Sequence, residues 1–146
     1  MRAFLFDRAG EVLDSGSHAY DTAYPQPGWA EQWPEDWIDA VRGSVKAALS
    51  GAAGADVAGL CAATTSCTVV CCDGDGNALA PAILWMDVRA SAQMHAVLEQ
   101  TGQSISAETF LCKALWIKEN RPDLWARTRV LCEYQDYLNH WLTGEW

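Results

Sequence analysis

Positive charge is scarce in this sequence: 10 Lys and Arg stand against 19 Asp and Glu, for a formal charge of −9. Phosphate backbones and anionic lipid surfaces are held by clustered cations, so no nucleic-acid or membrane partner is expected. Long hydrophobic runs are lacking too, since none approaches the roughly 20 residues of a membrane helix. The opening MRAFLFDRAG is too short an apolar run for a secretory leader and meets an acid at Asp7. A soluble, cytoplasmic protein is the expectation.

Mechanistic motifs are equally thin. There is no G-x-x-x-x-G-K-[ST] loop, and no G-x-G-x-x-G follows a strand. The histidines (His18, His95, His140) lie far apart and no G-x-S-x-G elbow accompanies them, which leaves a hydrolase triad without support. The six cysteines form no C-x-x-C pair and sit among Val, Leu and Ala, so they read as reduced core thiols. Asp73-Gly74-Asp75-Gly76-Asn77 begins like a calcium loop. The Gly and bidentate Glu that such a loop needs later are Ala78 and Leu84, so the segment reads as a β-turn.

What is present suits one globular unit: 146 residues, half of them apolar and a fifth charged. Arg2–Phe6, the turn Asp7–Gly10 and an extended run from Glu11 towards Tyr20 predict a hairpin. Pro25, Pro27 and Gly28 make a loop. Pro34-Glu35-Asp36 opens a helix whose Trp37, Ile38, Val41, Val45, Ala48 and Leu49 share a face, and Ser50–Gly54 stops it. Buried strands are predicted at Asp56–Ala63 and Thr68–Cys72, with a third apolar stretch at Ala82–Trp85. A helix with Ala90, Met94, Val97 and Leu98 on one side stops at Gly102. Ser106 is placed as N-cap of a helix running to Asn120, Val130–Cys132 as a short strand, and Tyr137–Leu142 in a last helix closed by Gly144. Strands alternating with helices give an α/β class.

Several segments, in order, resemble the FGGY family of carbohydrate kinases: FLFDRAGEVL (4–13), PGWAEQWPEDW (27–37), LWMDVRA (84–90), SAETFLCKALWIKENRPDLW (106–125) and CEYQDYLNHWLTGE (132–145). TTSCTVV (64–70) and Ser106-Ala107-Glu108 ahead of Lys113 look more like ribulokinases and other pentulose kinases than glycerol kinases. The resemblance implies an α/β, ribonuclease H-like (actin-like ATPase) domain, a mixed sheet with helices on its faces, incomplete at both ends. It implies that residues 1–146 are a partial N-terminal, sugar-binding domain. The first phosphate-loop strand, the catalytic Asp and the C-terminal ATP-binding domain would lie outside the chain. That absent strand would sit between the strands at Arg2–Phe6 and Asp56–Ala63, leaving two edges open to aggregation or swapping, with poor solubility or a shallow melt.

By the same resemblance the parent protein transfers phosphate from ATP, with Mg²⁺, to a sugar hydroxyl, on a pentulose first, with xylulose, a hexulose or glycerol as alternatives. This chain alone is expected to be inactive. A non-catalytic remnant or interaction module is the alternative of another class, and a homodimer of the full-length enzyme stays open. No residue is assigned as catalytic, cofactor-binding or metal-binding. The substrate side falls to Ser66, Trp85, Asp87, Arg89, Glu108 and Lys113. Every one but Arg89, which is read in a charge-assisted pair, has a plainer reading beside it. Ser66 suits a strand-end turn, Trp85 a core position, Asp87 the N-cap of a helix starting near Val88. Glu108 suits a first helical turn, and Lys113 a snorkelling side chain. Asp136 is expected to cap the last helix.

Overall fold

The computed structural model describes residues 1–52, 54 and 56–146. The chain divides into two compact units, residues 1–21 with 35–61 and residues 22–34 with 62–146.

In the first unit, β1 (Arg2–Phe6) and β2 (Val12–Ser17) pair antiparallel as a two-stranded sheet. Asp7 builds the turn, its carboxylate accepting the Ala9 and Glu11 amides at 2.8 and 2.9 Å. Helix α1 (Pro34–Ala48) follows, with Pro34 at its start, Glu35 and Asp36 in the first turn and Lys46 in the last, each matched to the helix dipole. Trp37, Ile38, Ala40, Ser44 and Ala48 form its buried stripe, while Val41, Val45 and Leu49 are half-buried. Gly16 lets β2 approach this helix: a Cβ there would run into the Ser44 carbonyl and the Ala47 side chain. Of the expected Ser50–Gly54 stop, Ala53 lies outside the described residues.

The second unit is a four-stranded sheet with helices. β3 (Glu31–Gln32), β4 (Val69–Cys72), β5 (Ala82–Ile83) and β6 (Val130–Glu133) lie in the order β3-β5-β4-β6, every pairing antiparallel. α2 (Ser91–Thr101), α3 (Phe110–Asn120), α4 (Pro122–Arg127) and α5 (Tyr134–Thr143) complete it. Val69, Cys71, Ile83, Ile117 and Leu124 form the core, with Phe110, Trp116 and Leu131 packed against it. Burying aliphatic side chains of this size contributes about 1.5–3 kcal/mol each. Gly102 and Gly144 end α2 and α5 in the left-handed conformation, as expected of such glycines.

Several expectations are corrected. Residues 56–63 form no strand but an irregular run, with Val57 and Leu60 about half exposed. Both edges of β4 are already taken by β5 and β6, and Ala58, Gly59, Ala62 and Ala63 add little strand propensity. The helix after LWMDVRA begins at Ser91 rather than near Val88, and it buries Gln93, leaving Leu98 exposed. α3 begins at Phe110 with Thr109 at its N-cap. Ser106 instead closes the preceding turn, accepting the Glu108 amide at 3.2 Å. Pro122 does not only stop a helix; it opens α4. Cys71, Cys72, Cys112 and Cys132 are buried thiols, whereas Cys61 is exposed and Cys67 half-buried.

The Asp73–Asn77 turn is built as expected, with Asp73 Oδ1 accepting the Asp75 and Asn77 amides at 2.9 Å. The Asn77 side-chain amide, which donates to Asp73 Oδ2 at 3.1 Å, and then the backbone amides hold the Asp73 carboxyl below its ordinary value. Asp136 does cap α5, from inside its first turn: its carboxylate accepts the Glu133 amide at 3.0 Å, and Glu133 returns the favour as a capping box.

Candidate functional site

The expected residues cluster in the second unit, where the chain after β5 folds back on the segment before β3. Leu84 N–H donates to Ala30 O and Val88 N–H to Gly28 O, each at 3.0 Å. The Asp87 carboxylate fills the gap between these two bonds. Its Oδ2 accepts the Ala30 amide at 2.6 Å and Arg89 Nη2 at 2.7 Å, and its Oδ1 accepts the amide and Nε of Arg89, both at 2.9 Å.

Arg89 is held on every side. Beyond the bidentate pair with Asp87, Nη2 reaches Glu31 Oε1 at 2.8 Å. Its guanidinium lies 3.7 Å from the Trp29 ring centre and 5.0 Å from that of Trp116, and the two indoles meet edge to face at 5.3 Å. The side chains of Arg89 and Asp87 are 3% and 0% exposed. A planar, delocalised cation tolerates such burial because it stacks on aromatic faces and pairs through a fork.

Lys113, on α3, is wholly buried. Its ammonium donates to Leu84 O at 2.7 Å, Cys67 O at 2.8 Å and Trp85 O at 3.2 Å. Burial pushes its pKa down to about 8, against attraction from Asp87, Cys67 and Glu108. One of the carbonyls belongs to an unusual residue: Cys67 has φ +63°, a left-handed conformation that a β-carbon disfavours. Its amide donates to Glu133 Oε1 at 3.1 Å. Next to it, Thr68 Oγ1 accepts the Trp85 amide at 3.2 Å.

Of the six expected positions, Ser66 and Trp85 are exposed, Trp85 by 45%. The side chains of Asp87, Arg89 and Lys113 are buried. Asp87 is not the N-cap of α2; that position is Ala90, without a side-chain bond. Lys113 does not snorkel, because three carbonyls replace water around it. Glu108 is exposed and sits ahead of α3 rather than in its first turn, its Oε2 at 3.4 Å from Ser106 Oγ. Sequence reading missed Cys67, Thr68, Glu133, Trp29, Glu31 and Trp116. Only Glu133 carried a local signal, the acid three residues ahead of Asp136.

Among the described residues no group of His, Cys, Asp and Glu is placed to hold a metal ion. Among the described residues the side chains do not fit a Mg²⁺–nucleotide site. Nor is any helix, among the described residues, long and apolar enough to cross a membrane.

Comparison with known proteins places this arrangement. The xylulose kinase of Lactococcus lactis is 35% identical over 155 aligned residues, which span 99% of this chain and 31% of that protein. The glycerol kinase of Thermococcus gammatolerans is 30% identical over 99% of this chain and 32% of its own length. The chain thus spans about a third of the curated relatives it matches. Among solved structures, the xylulose kinase from Rhodospirillum rubrum superposes with a TM-score of 0.87 at 27% identity, over 99% of this chain and 32% of that one. The glycerol kinase of Plasmodium falciparum, at 20% identity and a TM-score of 0.82 over 98% of this chain and 32% of that one, shares the fold. These neighbours have the actin-like ATPase fold, so the expected α/β class holds. The model for the N-terminal domain of the FGGY family of carbohydrate kinases matches residues 1–146, and the chain belongs to that family.

Proposed function

We propose that the chain supplies the sugar-side wall of an ATP-dependent carbohydrate kinase whose substrate is a pentulose, with xylulose first. The observation that carries this reading is the similarity over 99% of the chain to the Lactococcus lactis xylulose kinase. On this wall Ser66 offers a hydroxyl that donates or accepts, and Trp85 offers an indole face against which a sugar carbon skeleton packs. Glu108 is the exposed acid nearest in sequence to Lys113 and is the third contact candidate. Asp87, Arg89 and Lys113 act behind the wall, fixing its backbone. Phosphoryl transfer needs positioning and neutralisation of the phosphate charge, and the groups for both belong to parts of the parent protein beyond these residues. Support for a larger parent comes from the share of the relatives that is matched. It also comes from β1, which pairs on one edge with β2 while Phe4 and Phe6 are half exposed.

The test is a coupled ATP-consumption assay with D-xylulose, D-ribulose, L-ribulose and glycerol, run beside ligand-observed NMR of the same sugars. Saturation transfer from the 146-residue chain to a pentulose, without turnover, is expected. Preference for glycerol would remove the pentulose assignment. Turnover by this chain alone would overturn the assignment of phosphate chemistry to the rest of the parent. Absence of any sugar contact would favour a non-catalytic module.

A further inference from the structure

We infer that Lys113 is a positioning residue, its ammonium clamping the Ser66–Cys67 turn to the Leu84–Trp85 stretch so that Ser66 and Trp85 are presented together. The part concerning sugar rests on the reading given under Proposed function. The clamp itself rests on geometry alone.

An ammonium has three N–H donors, and here three carbonyls from two separate segments meet them: Cys67 O, Leu84 O and Trp85 O. Among the described residues no carboxylate is in ion-pair contact with the ammonium. Asp87 faces it but already accepts from Ala30 and Arg89, Arg89 itself adds repulsion, and Glu108 and the Cys67 thiol act from their own segments. The positive charge is therefore solvated by backbone dipoles, an arrangement that ties it to the path of the chain.

That path is strained at one point. Left-handed backbone at a non-glycine residue is disfavoured and persists only where its surroundings impose it. Cys67 is imposed from both sides, its amide by Glu133 at the start of α5 and its carbonyl by Lys113 of α3. Trp85 is bracketed likewise, its amide on Thr68 Oγ1 and its carbonyl on Lys113. The same nitrogen thus fixes the backbone on which both exposed side chains stand. Losing one proton leaves an amine with two donors for three carbonyls, and one segment is released.

Carbonyl ¹³C shifts of the 146-residue chain, followed from neutral to alkaline pH, test the clamp. The Cys67, Leu84 and Trp85 carbonyls are expected to titrate with one midpoint near the Lys113 value of about 8. In Lys113→Arg, which stays protonated, that shared step should vanish while the fold persists. Carbonyls that titrate separately, or a step that survives in Lys113→Arg, overturn the clamp.

Titration with D-xylulose and D-ribulose then tests positioning. Lys113→Met is expected to weaken sugar-induced shifts at Ser66 and Trp85 by about tenfold or more, with Lys113→Arg between it and the parent sequence. If Lys113→Met does not fold, Lys113→Arg alone decides, and unaltered sugar affinity in it overturns positioning. If the parent sequence responds to neither sugar while the carbonyls titrate together, the clamp stands and the sugar reading falls.

Discussion

Replacing Asp87 by Ala should be among the most damaging single substitutions in this chain. The carboxylate accepts four hydrogen bonds, from the Ala30 amide and from the amide, Nε and Nη2 of Arg89, at zero side-chain exposure. Removing it leaves a guanidinium 3% exposed with Glu31 as its remaining carboxylate partner among the described residues. Breaking one side of a buried pair costs about 3–5 kcal/mol, because the surviving charge stays desolvated. The orphaned Ala30 amide adds about 1 kcal/mol or more. Small domains have about 5–15 kcal/mol in total, so much of the stability would go. Urea unfolding followed by tryptophan emission suits the case, since Trp29 and Trp116 flank the guanidinium. Asp87→Asn should fall between, keeping an acceptor for Ala30 but losing the charge. The Asp87/Arg89 double-mutant cycle should show coupling above about 1 kcal/mol. An Asp87→Ala variant within about 1 kcal/mol of the parent chain would refute this account of what joins the segments before β3 and after β5.

Lys113 should give stability an unusual alkaline slope. Its pKa falls from 10.5 to about 8 in the folded state, so between these values the unfolded chain binds more protons and stability rises with pH. The gain is at most about 3 kcal/mol, read as the difference between the parent chain and Lys113→Met in urea melts at successive pH values. Cysteine chemistry should divide by burial. A disulfide reagent is expected to label exposed Cys61 in the native chain and Cys71, Cys72, Cys112 and Cys132 only on unfolding. Burial pushes Cys71 up to about 11, and the Cys72 thiol with burial pushes Cys132 up as well, which disfavours both thiolates. The β1–β2 hairpin should make the chain self-associate. Phe4→Thr with Phe6→Lys is expected to lower its sedimentation-averaged mass at high concentration, and an unchanged monomer in both forms would count against this.

Local chemistry made much of the fold legible. Pro34-Glu35-Asp36 announces α1 because the missing proline amide and the two acids satisfy a helix start without reference to anything distant. Gly102 and Gly144 announce helix ends for the same reason. The run 56–63 misled because apolar composition says that a segment prefers burial, not which strand will accept it; β5 and β6 had filled the edges of β4. β3 went unseen since Glu31-Gln32 carries no apolar pattern, and it exists through its pairing with Ile83 and Ala82. At the site, Asp87 and Arg89 stand out in LWMDVRA as sugar-pocket candidates, with Asp87 also suiting an N-cap, and the ion pair between them is a finding of the structure. Their burial was not legible, because Trp29 and Glu31 come from far along the chain. Lys113 was the hardest case. An isolated lysine among apolar residues reads as snorkelling, and its carbonyl partners lie 46, 29 and 28 residues away.

The pairing of β4 with β6 has a consequence for biosynthesis. Cys72 and Cys132 face each other across it though 60 residues apart in sequence. A ribosome must therefore deliver the chain as far as β6 before β4 gains its second neighbour. Until then the all-buried Val69–Cys72 ribbon waits with an open edge, whereas every residue of the first unit has emerged by residue 61. Late, long-range closure of this kind slows folding and lengthens exposure to other nascent chains, so chaperone dependence in the cell should track the arrival of β6.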